Sequence, residues 1–209
     1  MLDLLFPRRS LTGEEGMFVT VEEFRKLQSQ PILRDAAYLR AHGIRFLDRV
    51  TAAADYRKVP LLHRAVHVLK YKKVKDMGEV LGRMLVGVSE VIEGSPVLCP
   101  VPLHWIRKYS RGFNQAEILA RFVGEQRGWA VMHLLRRRKW TGSQVGRKRD
   151  ERLTGVSGAF ALCTRQKIPE YVVLIDDLST TGSTLDACAE PLKKAGVPRV
   201  EALLVASRL

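Results

Sequence analysis

Val172-Val173-Leu174-Ile175-Asp176-Asp177-Leu178-Ser179-Thr180-Thr181-Gly182-Ser183-Thr184 is the stretch on which the reading of this chain turns. Four consecutive apolar residues, three of them β-branched, spell a strand buried on both faces, because a half-exposed strand would alternate with polar residues. Two acids and a run of small hydroxyl residues around Gly182 follow. Apolar residues then recur at helical spacing from Thr184 to Ala195, with Gly196 as the stop. In an open parallel sheet, ligands bind beyond the carboxyl ends of strands, which is where this turn must lie. Small side chains let backbone amides close around a tetrahedral anion, and a helix start adds unpaired N–H donors. The helix dipole contributes only about 0.3–1 kcal/mol at an exposed site, so the shaped amides and hydroxyls must do most of the binding. Two carboxylates beside a phosphate nest would repel a bare phosphate, but they suit a ligand that presents a diol next to it, since carboxylates accept hydrogen bonds from hydroxyls. A ribose 5-phosphate has that layout. A buried strand followed by an acidic helix cap explains one polar residue here but not the run.

Outward from this stretch, Tyr171 to Ile175 and Val200 to Ala206 read as strands flanking that helix. Upstream, Val97 to Val101 reads as a compact apolar strand, Asn114 to Arg127 as an amphipathic helix, and Val131 to Leu135 as another short strand. Helices are expected from Leu61 to Lys70 and from Met77 to about Val91, the second closed by Gly94-Ser95-Pro96. Thr20-Val21-Glu22-Glu23 is a capping-box pattern and predicts a short helix ending near Gln28. Between Pro31 and Ala53 the pattern is weakly helical, and Ala52 to Arg57 reads as a short strand or turn. Strands alternating with helices imply an α/β fold, a parallel sheet with helices on both faces. The simplest division is an N-terminal extension, 1–53, and one main domain, 54–209.

The chain has 209 residues and is 46% hydrophobic, enough to bury a full core. Its 35 Lys and Arg outnumber 22 Asp and Glu, giving a net charge of +13 and a surface that attracts phosphates, nucleic acid or anionic membrane. Arg136, Arg137, Arg138, Lys139, Arg147, Lys148, Arg149 and Arg152 crowd a glycine-containing stretch that reads as a basic loop. Cys99, Cys163 and Cys188 are far apart and form no C-x-x-C or metal spacing, so reduced, buried thiols and no cysteine-bound zinc are expected. Met1 to Phe6 is too short an apolar run for a signal peptide, and nothing approaches a membrane span, so a cytoplasmic protein is expected. His63 and His67 lie four apart on one helix, a metal-compatible spacing that lacks a third ligand. Trp105, Tyr109 and Phe113 interleave with Arg107, Lys108 and Arg111, and Trp140 follows Lys139. That mixture suits stacking of single-stranded bases on rings, and it suits ordinary packing equally.

Over all thirteen positions, Val172 to Thr184 resembles the phosphoribosyl pyrophosphate (PRPP) signature of type I phosphoribosyltransferases. The resemblance narrows to the ComF family of competence-associated proteins through Cys99-Pro100-Val101-Pro102-Leu103-His104, Arg111-Gly112-Phe113-Asn114-Gln115-Ala116, Thr141 to Gln144 and Val156 to Phe160, with Tyr56 and Leu69-Lys70-Tyr71 also fitting. It covers roughly Asp55 to the C-terminus. It implies a type I phosphoribosyltransferase-like parallel sheet flanked by helices, with a small N-terminal elaboration. It assigns the ribose hydroxyls to Asp176 and Asp177, the nearest this chain has to catalytic residues, and the 5-phosphate to Ser179, Thr180, Thr181, Gly182, Ser183 and Thr184. By the same likeness the loop with Pro102, Leu103, Arg107, Lys108 and Arg111 receives pyrophosphate, and a flexible loop with Gln144, Arg147 and Lys148 closes over the site, with Mg²⁺ accompanying PRPP. Many ComF-like proteins carry a four-cysteine zinc module near the N-terminus; here Leu5-Phe6-Pro7 runs into Arg8, Arg9 and Ser10 with no cysteine before Cys99.

Two functions stay open at this level. One is a Mg²⁺-dependent phosphoribosyl transfer from PRPP to a nucleophile, in the context of DNA uptake and transformation. The other is a module that binds PRPP or single-stranded DNA without turnover. A phosphorylated receiver domain would also place an acidic pair after an apolar strand, but after its first strand, whereas this pair lies near the end of the chain.

Overall fold

The computed structural model describes residues 10–13, 19–28, 30–71, 75–103, 112–138, 158–163 and 168–209. In chain order the elements are α1 (Val21–Leu27), β1 (Ile32–Asp35), α2 (Ala36–Ala41), β2 (Arg49–Asp55), α3 (Pro60–Tyr71), α4 (Lys75–Val88) with a 3₁₀ turn (Ser89–Val91), β3 (Val97–Pro100), α5 (Gln115–Arg127), β4 (Leu135–Arg137), β5 (Phe160–Leu162), β6 (Tyr171–Ser179), α6 (Ser183–Lys194) and β7 (Arg199–Ser207). The main sheet has the order β1-β2-β7-β6-β3. β2, β7, β6 and β3 run parallel, and β1 closes one edge antiparallel to β2. β4 and β5 form a separate antiparallel ribbon.

Side-chain alternation along the parallel strands sorts the core into two layers. Val172, Leu174, Val200 and Ala202 face α6 with Leu185 and Cys188, whereas Val173, Ile175, Leu203 and Val205 face α3, α4 and α5 with Leu62, Leu81 and Leu119. Both faces of the sheet are therefore covered, as an apolar, non-alternating β6 requires. The capping box at Thr20 forms as its spacing predicts, with Thr20 Oγ1 accepting from Glu23 N and the Glu23 carboxylate accepting from Thr20 N.

The N-terminal third departs from the sequence-based expectation. The weakly helical stretch resolves into β1, α2 and β2, and the strand read from Ala52 begins at Arg49. Thr51-Ala52-Ala53-Ala54 is buried on both faces and so shows no alternation, and alanine favours helix by intrinsic propensity, which hid the strand. A boundary at residue 53 would cut β2, which pairs with β7 over Arg49 to Asp55, so the segment from β1 to β2 belongs with the sheet and is not a separate extension. Of the strand read at Val131 to Leu135, Val131 makes an isolated bridge to Leu98, and Leu135 pairs with Leu162 as the first residue of β4. The basic stretch accordingly begins inside a strand, at Arg136 and Arg137.

Two glycines let α4 approach α5 closely. A Cβ on Gly82 would lie 2.7 Å from Phe122 Cγ, and one on Gly78 would collide with Ile118. Gly82→Ala is expected to cost about 1–3 kcal/mol by overpacking this seam. At roughly 2–4 °C per kcal/mol for a chain of this size, the drop is readable in a thermal melt. An unchanged midpoint would show that the two helices are not held this tightly.

The amino edge of the sheet is sealed. The Glu201 carboxylate accepts from Tyr171 Oη at 2.8 Å and pairs with Arg199 at 2.8 Å and Arg49 at 3.6 Å. Burial, and then the Glu201 charge, push the Tyr171 hydroxyl well above the usual tyrosine range. The opposite, carboxyl edge is where the donor-rich turn emerges.

Candidate functional site

β6 stays hydrogen-bonded to β7 as far as Ser179 opposite Ser207, so the acidic pair is held in extended backbone rather than in a loop. The two carboxylates are not equivalent. Asp176 is half-buried, and its Oδ1 accepts from the Asp177 amide at 2.9 Å. It also sits close enough to Cys188, in the α6 layer, to help raise that thiol, whose shift comes first from burial. Asp177 is only 5% exposed. A diol arriving from solvent therefore meets Asp176 more directly than Asp177.

The turn itself is tightly built. Ser179 Oγ accepts from the Gly182 amide at 3.2 Å, and Arg208 N donates to Ser179 O at 3.0 Å, tying the turn to the end of β7. Thr181 Oγ1 and Ser183 Oγ lie 2.8 Å apart. Gly182 has φ +77°, the left-handed region that glycine adopts without steric cost. From there α6 begins with a glycine that offers no capping side chain, and among its first amides only Ser183 N meets a side chain that the structure shows, donating to Thr181 Oγ1 at 3.4 Å. The amides that follow, which most helices satisfy in part with an N-cap side chain, are left for water or a ligand. Ser179, Gly182 and Ser183 are buried and form the frame; Thr180, Thr181 and Thr184 are half-buried and bear the accessible hydroxyls.

The segment Ile44 to Phe46, part of the stretch that sequence reading set aside as an extension, braces this turn. Ile44 packs against Gly182, where a Cβ would lie 3.0 Å from Ile44 Cγ1 and 3.5 Å from Leu209 Cδ1. Asp186 Oδ1 accepts from the amides of Arg45 at 2.9 Å and Phe46 at 2.7 Å. Locally, Ser183-Thr184-Leu185-Asp186 resembles a helix-start acid; the structure uses Asp186 instead to grip backbone 140 residues away. The signal available in the sequence was its sign, a carboxylate one turn from a site suited to an anion. Burial raises the Asp186 carboxyl above the ordinary aspartate value despite its two amide donors.

The sign of that shift sets a prediction. A raised native value means the protonated form is favoured by folding, so this group's stabilising contribution is complete below its unfolded value of about 3.9 and is lost as pH rises through the native value. Asp186→Asn keeps an acceptor oxygen without the buried charge and is expected to leave stability at neutral pH unchanged or slightly higher. Asp186→Ala removes both hydrogen bonds and should cost about 1–3 kcal/mol in urea unfolding. Equal losses in both variants would show that the charge, not the acceptor, does the bracing.

Pro102 and Leu103 are half-buried just past β3. Their loop is anchored at both described ends, Val101 N donating to Ile175 O at 3.0 Å and Asn114 Nδ2 donating to Val101 O at 3.0 Å. Asn114 also caps α5, its side chain accepting from Ala116 N. Arg107, Lys108, Arg111, Gln144, Arg147 and Lys148, with Trp105, Tyr109 and Trp140, lie outside the described residues. Gln115, at the first position of α5, is buried, and its Nε2 has no hydrogen-bond partner among the described residues.

Other expectations resolve as follows. Cys99 and Cys188 are buried free thiols, Cys99 pushed up to about 12 by burial. Cys163 is free but exposed, contrary to the expectation of burial, because it lies just past β5 at the end of the ribbon, its Sγ 2.7 Å from His133 O. His63 stacks on Tyr56 with ring centroids 3.9 Å apart, and its Nε2 lies 2.8 Å from Tyr56 O. Among the described residues no three His, Cys, Asp or Glu side chains group as a metal site. No described helix is long and apolar enough to cross a membrane.

Together these features define an α/β protein of the open, mostly parallel sheet class, with a donor-rich turn and an acidic pair at the carboxyl edge of a central strand. The chain is 30% identical over 166 residues to DNA utilization protein YhgH of Salmonella typhi, a match spanning 73% of this chain and 69% of the relative. It belongs to the ComF family of competence and DNA utilization proteins. Competence protein F of Haemophilus influenzae is 33% identical over 110 residues, covering 50% of this chain and 47% of that protein. Competence protein ComFC of Streptococcus pneumoniae is 36% identical over 101 residues, covering 48% and 43% respectively. The matched part thus spans about half the length of these two competence proteins. Among solved structures, the crystal structure of TT1426 from Thermus thermophilus aligns with a TM-score of 0.38 at 14% identity, over 62% of this chain and 83% of that one. No family model matches the chain.

Proposed function

We propose that this protein binds PRPP, with Mg²⁺, in the turn between β6 and α6, and that it works in the uptake and use of DNA as a phosphoribosyltransferase-like member of its family. One observation carries the ligand. The left-handed Gly182 turns the chain so that α6 amides without an N-cap side chain and the half-exposed hydroxyls of Thr180, Thr181 and Thr184 lie one turn beyond the half-exposed Asp176 carboxylate. A 5-phosphate suits the amides and hydroxyls, and a ribose hydroxyl suits the carboxylate. The DNA role is supported by relatives named as competence and DNA utilization proteins.

In the transferase reading, an acceptor nucleophile forms a bond to the anomeric carbon as its bond to pyrophosphate oxygen breaks, and pyrophosphate leaves with the electron pair. Mg²⁺ would offset the charge of the departing group. This chain's part is to hold the 5-phosphate in the turn, orient the sugar through Asp176 and supply cationic loops that stabilise the leaving group.

The net charge of +13 favours a second reading, in which the fold binds PRPP and single-stranded DNA without turnover. Calorimetric titration of PRPP with Mg²⁺ tests the site, and pyrophosphate release with candidate bases separates the two readings. Single-stranded DNA binding, followed over a salt series, should weaken with a log–log slope of about −0.7 per phosphate neutralised. A salt-independent affinity would remove the electrostatic basis for a DNA partner, and absence of PRPP binding would remove the site.

A further inference from the structure

Away from the β6 turn, a cavity of about 430 Å³ opens between the N-terminal segment and the start of α3. Its floor is Val59, Pro60 and Leu61, and its cations are Lys26 from α1, Lys58 from the turn after β2, and Arg64 from α3. We propose that this cavity binds a nucleoside 5′-monophosphate unit, with the phosphate held by the cations and the base and sugar lying on the apolar floor.

Four observations point there. First, among the described residues no carboxylate lines the cavity, although three cationic side chains from separate parts of the chain do. Among the described residues, two nearby acids are engaged elsewhere: Glu23 accepts from the amides of Thr12 at 2.6 Å and Thr20 at 2.8 Å, and Asp55 accepts from Arg57 N at 2.9 Å. Lys26 is already partnered, by Glu22 at 2.7 Å among others, so the charge open to an anion is that of Lys58 and Arg64, for which no ion pair with a described carboxylate is found. Gathering like charges costs free energy that an anionic ligand recovers.

Second, the wall is held in place before any ligand arrives. Glu23 latches Thr12, and Arg64 Nη1 donates to Leu11 O at 3.0 Å, leaving the rest of the guanidinium fork to reach an anion. Third, the cavity lies at the carboxyl edge of the sheet, where β2 ends in the turn closed by Lys58 N to Asp55 O. β7 separates β2 from β6, and none of the described residues lining the cavity belongs to the β6 turn. Fourth, a bare anion would leave the floor and most of the volume empty. A ligand with a planar or apolar body fills a space of this size, which falls in the range of small-molecule sites. The inference does not depend on PRPP binding at β6.

The phosphate can come from a free nucleotide or from the 5′ end of a single strand, and the experiment separates them. Titrate the full chain with thymidine 5′-monophosphate, with 5′-phosphorylated dT6, with dT6 lacking that phosphate, and with inorganic phosphate. Saturable binding of the first two, at least tenfold tighter than dT6 without the phosphate and than inorganic phosphate, supports the site. A clear preference for the phosphorylated strand assigns a strand end, and equal affinity assigns a free nucleotide. Lys58→Glu, at an exposed residue, should weaken binding at least tenfold, whereas Asp176→Asn should not, and PRPP should not displace the nucleotide. Arg64→Gln is the second variant, expected to weaken binding in the same direction. Binding indifferent to both substitutions, or lost to PRPP competition, would overturn the proposal.

Discussion

Gly182→Ala is expected to abolish measurable PRPP binding and to lower the melting temperature by several degrees. The residue sits at φ +77°, where an L side chain costs about 1–2 kcal/mol. The new methyl group would also enter space already filled by Ile44, which is fully buried, and by Leu209 at the chain's end. Overpacking of that kind adds about 1–3 kcal/mol. Either Ile44 gives way, loosening the Asp186 grip on Arg45 and Phe46, or the turn rotates and takes the α6 amides away from the position a phosphate needs. The binding loss should exceed what destabilisation alone produces, because the fold keeps its other contacts while the anion nest is defined by this one residue. Calorimetry at a temperature where the variant is shown by circular dichroism to be folded separates the two effects. Wild-type PRPP affinity in the folded variant would mean that the 5-phosphate does not sit in this turn.

The second large effect concerns the acids. Replacing both Asp176 and Asp177 by Asn is expected to remove the charge-assisted acceptors proposed for the ribose hydroxyls, each worth about 1.5–3 kcal/mol, or roughly ten- to a hundredfold in affinity. The single variants should differ. Asp176 is the carboxylate that solvent reaches, so Asp176→Asn should carry most of the affinity loss with little change in stability. Asp177 is 5% exposed, and its substitution should register mainly in unfolding. Equal affinity losses from the two single variants, with unchanged stability in both, would show that the ligand engages them as a symmetric pair and that the burial difference does not govern access.

How the site is supported bears on what the N-terminal third contributes. β1, α2 and the Ile44–Phe46 segment lie in sequence far from the turn they brace. Arg34 reaches the C-terminal residue through Nη2 to Leu209 O at 3.0 Å, and Lys193 joins Asp48 at 2.6 Å. Residues 32–48 therefore serve as scaffold to the candidate site.

Much of this was legible in the sequence, because the relevant signals are local. An apolar β-branched run, a capping box and a glycine among hydroxyl residues act through backbone sterics and neighbouring donors; the strand from Tyr171 and the helix after Gly182 follow from them, although the strand runs four residues past Ile175, to Ser179. The helices α3, α4 and α5 followed from apolar spacing for the same reason. Other features were decided only by contacts between distant segments. Local chemistry cannot say that the strand at Ala52 starts at Arg49 and is buried on both faces, that Asp186 turns from its own helix to amides near residue 45, or that Asp176 stays accessible while its neighbour is covered. Each of these depends on which surfaces meet when the sheet assembles, and burial belongs to the packed chain, not to the residue.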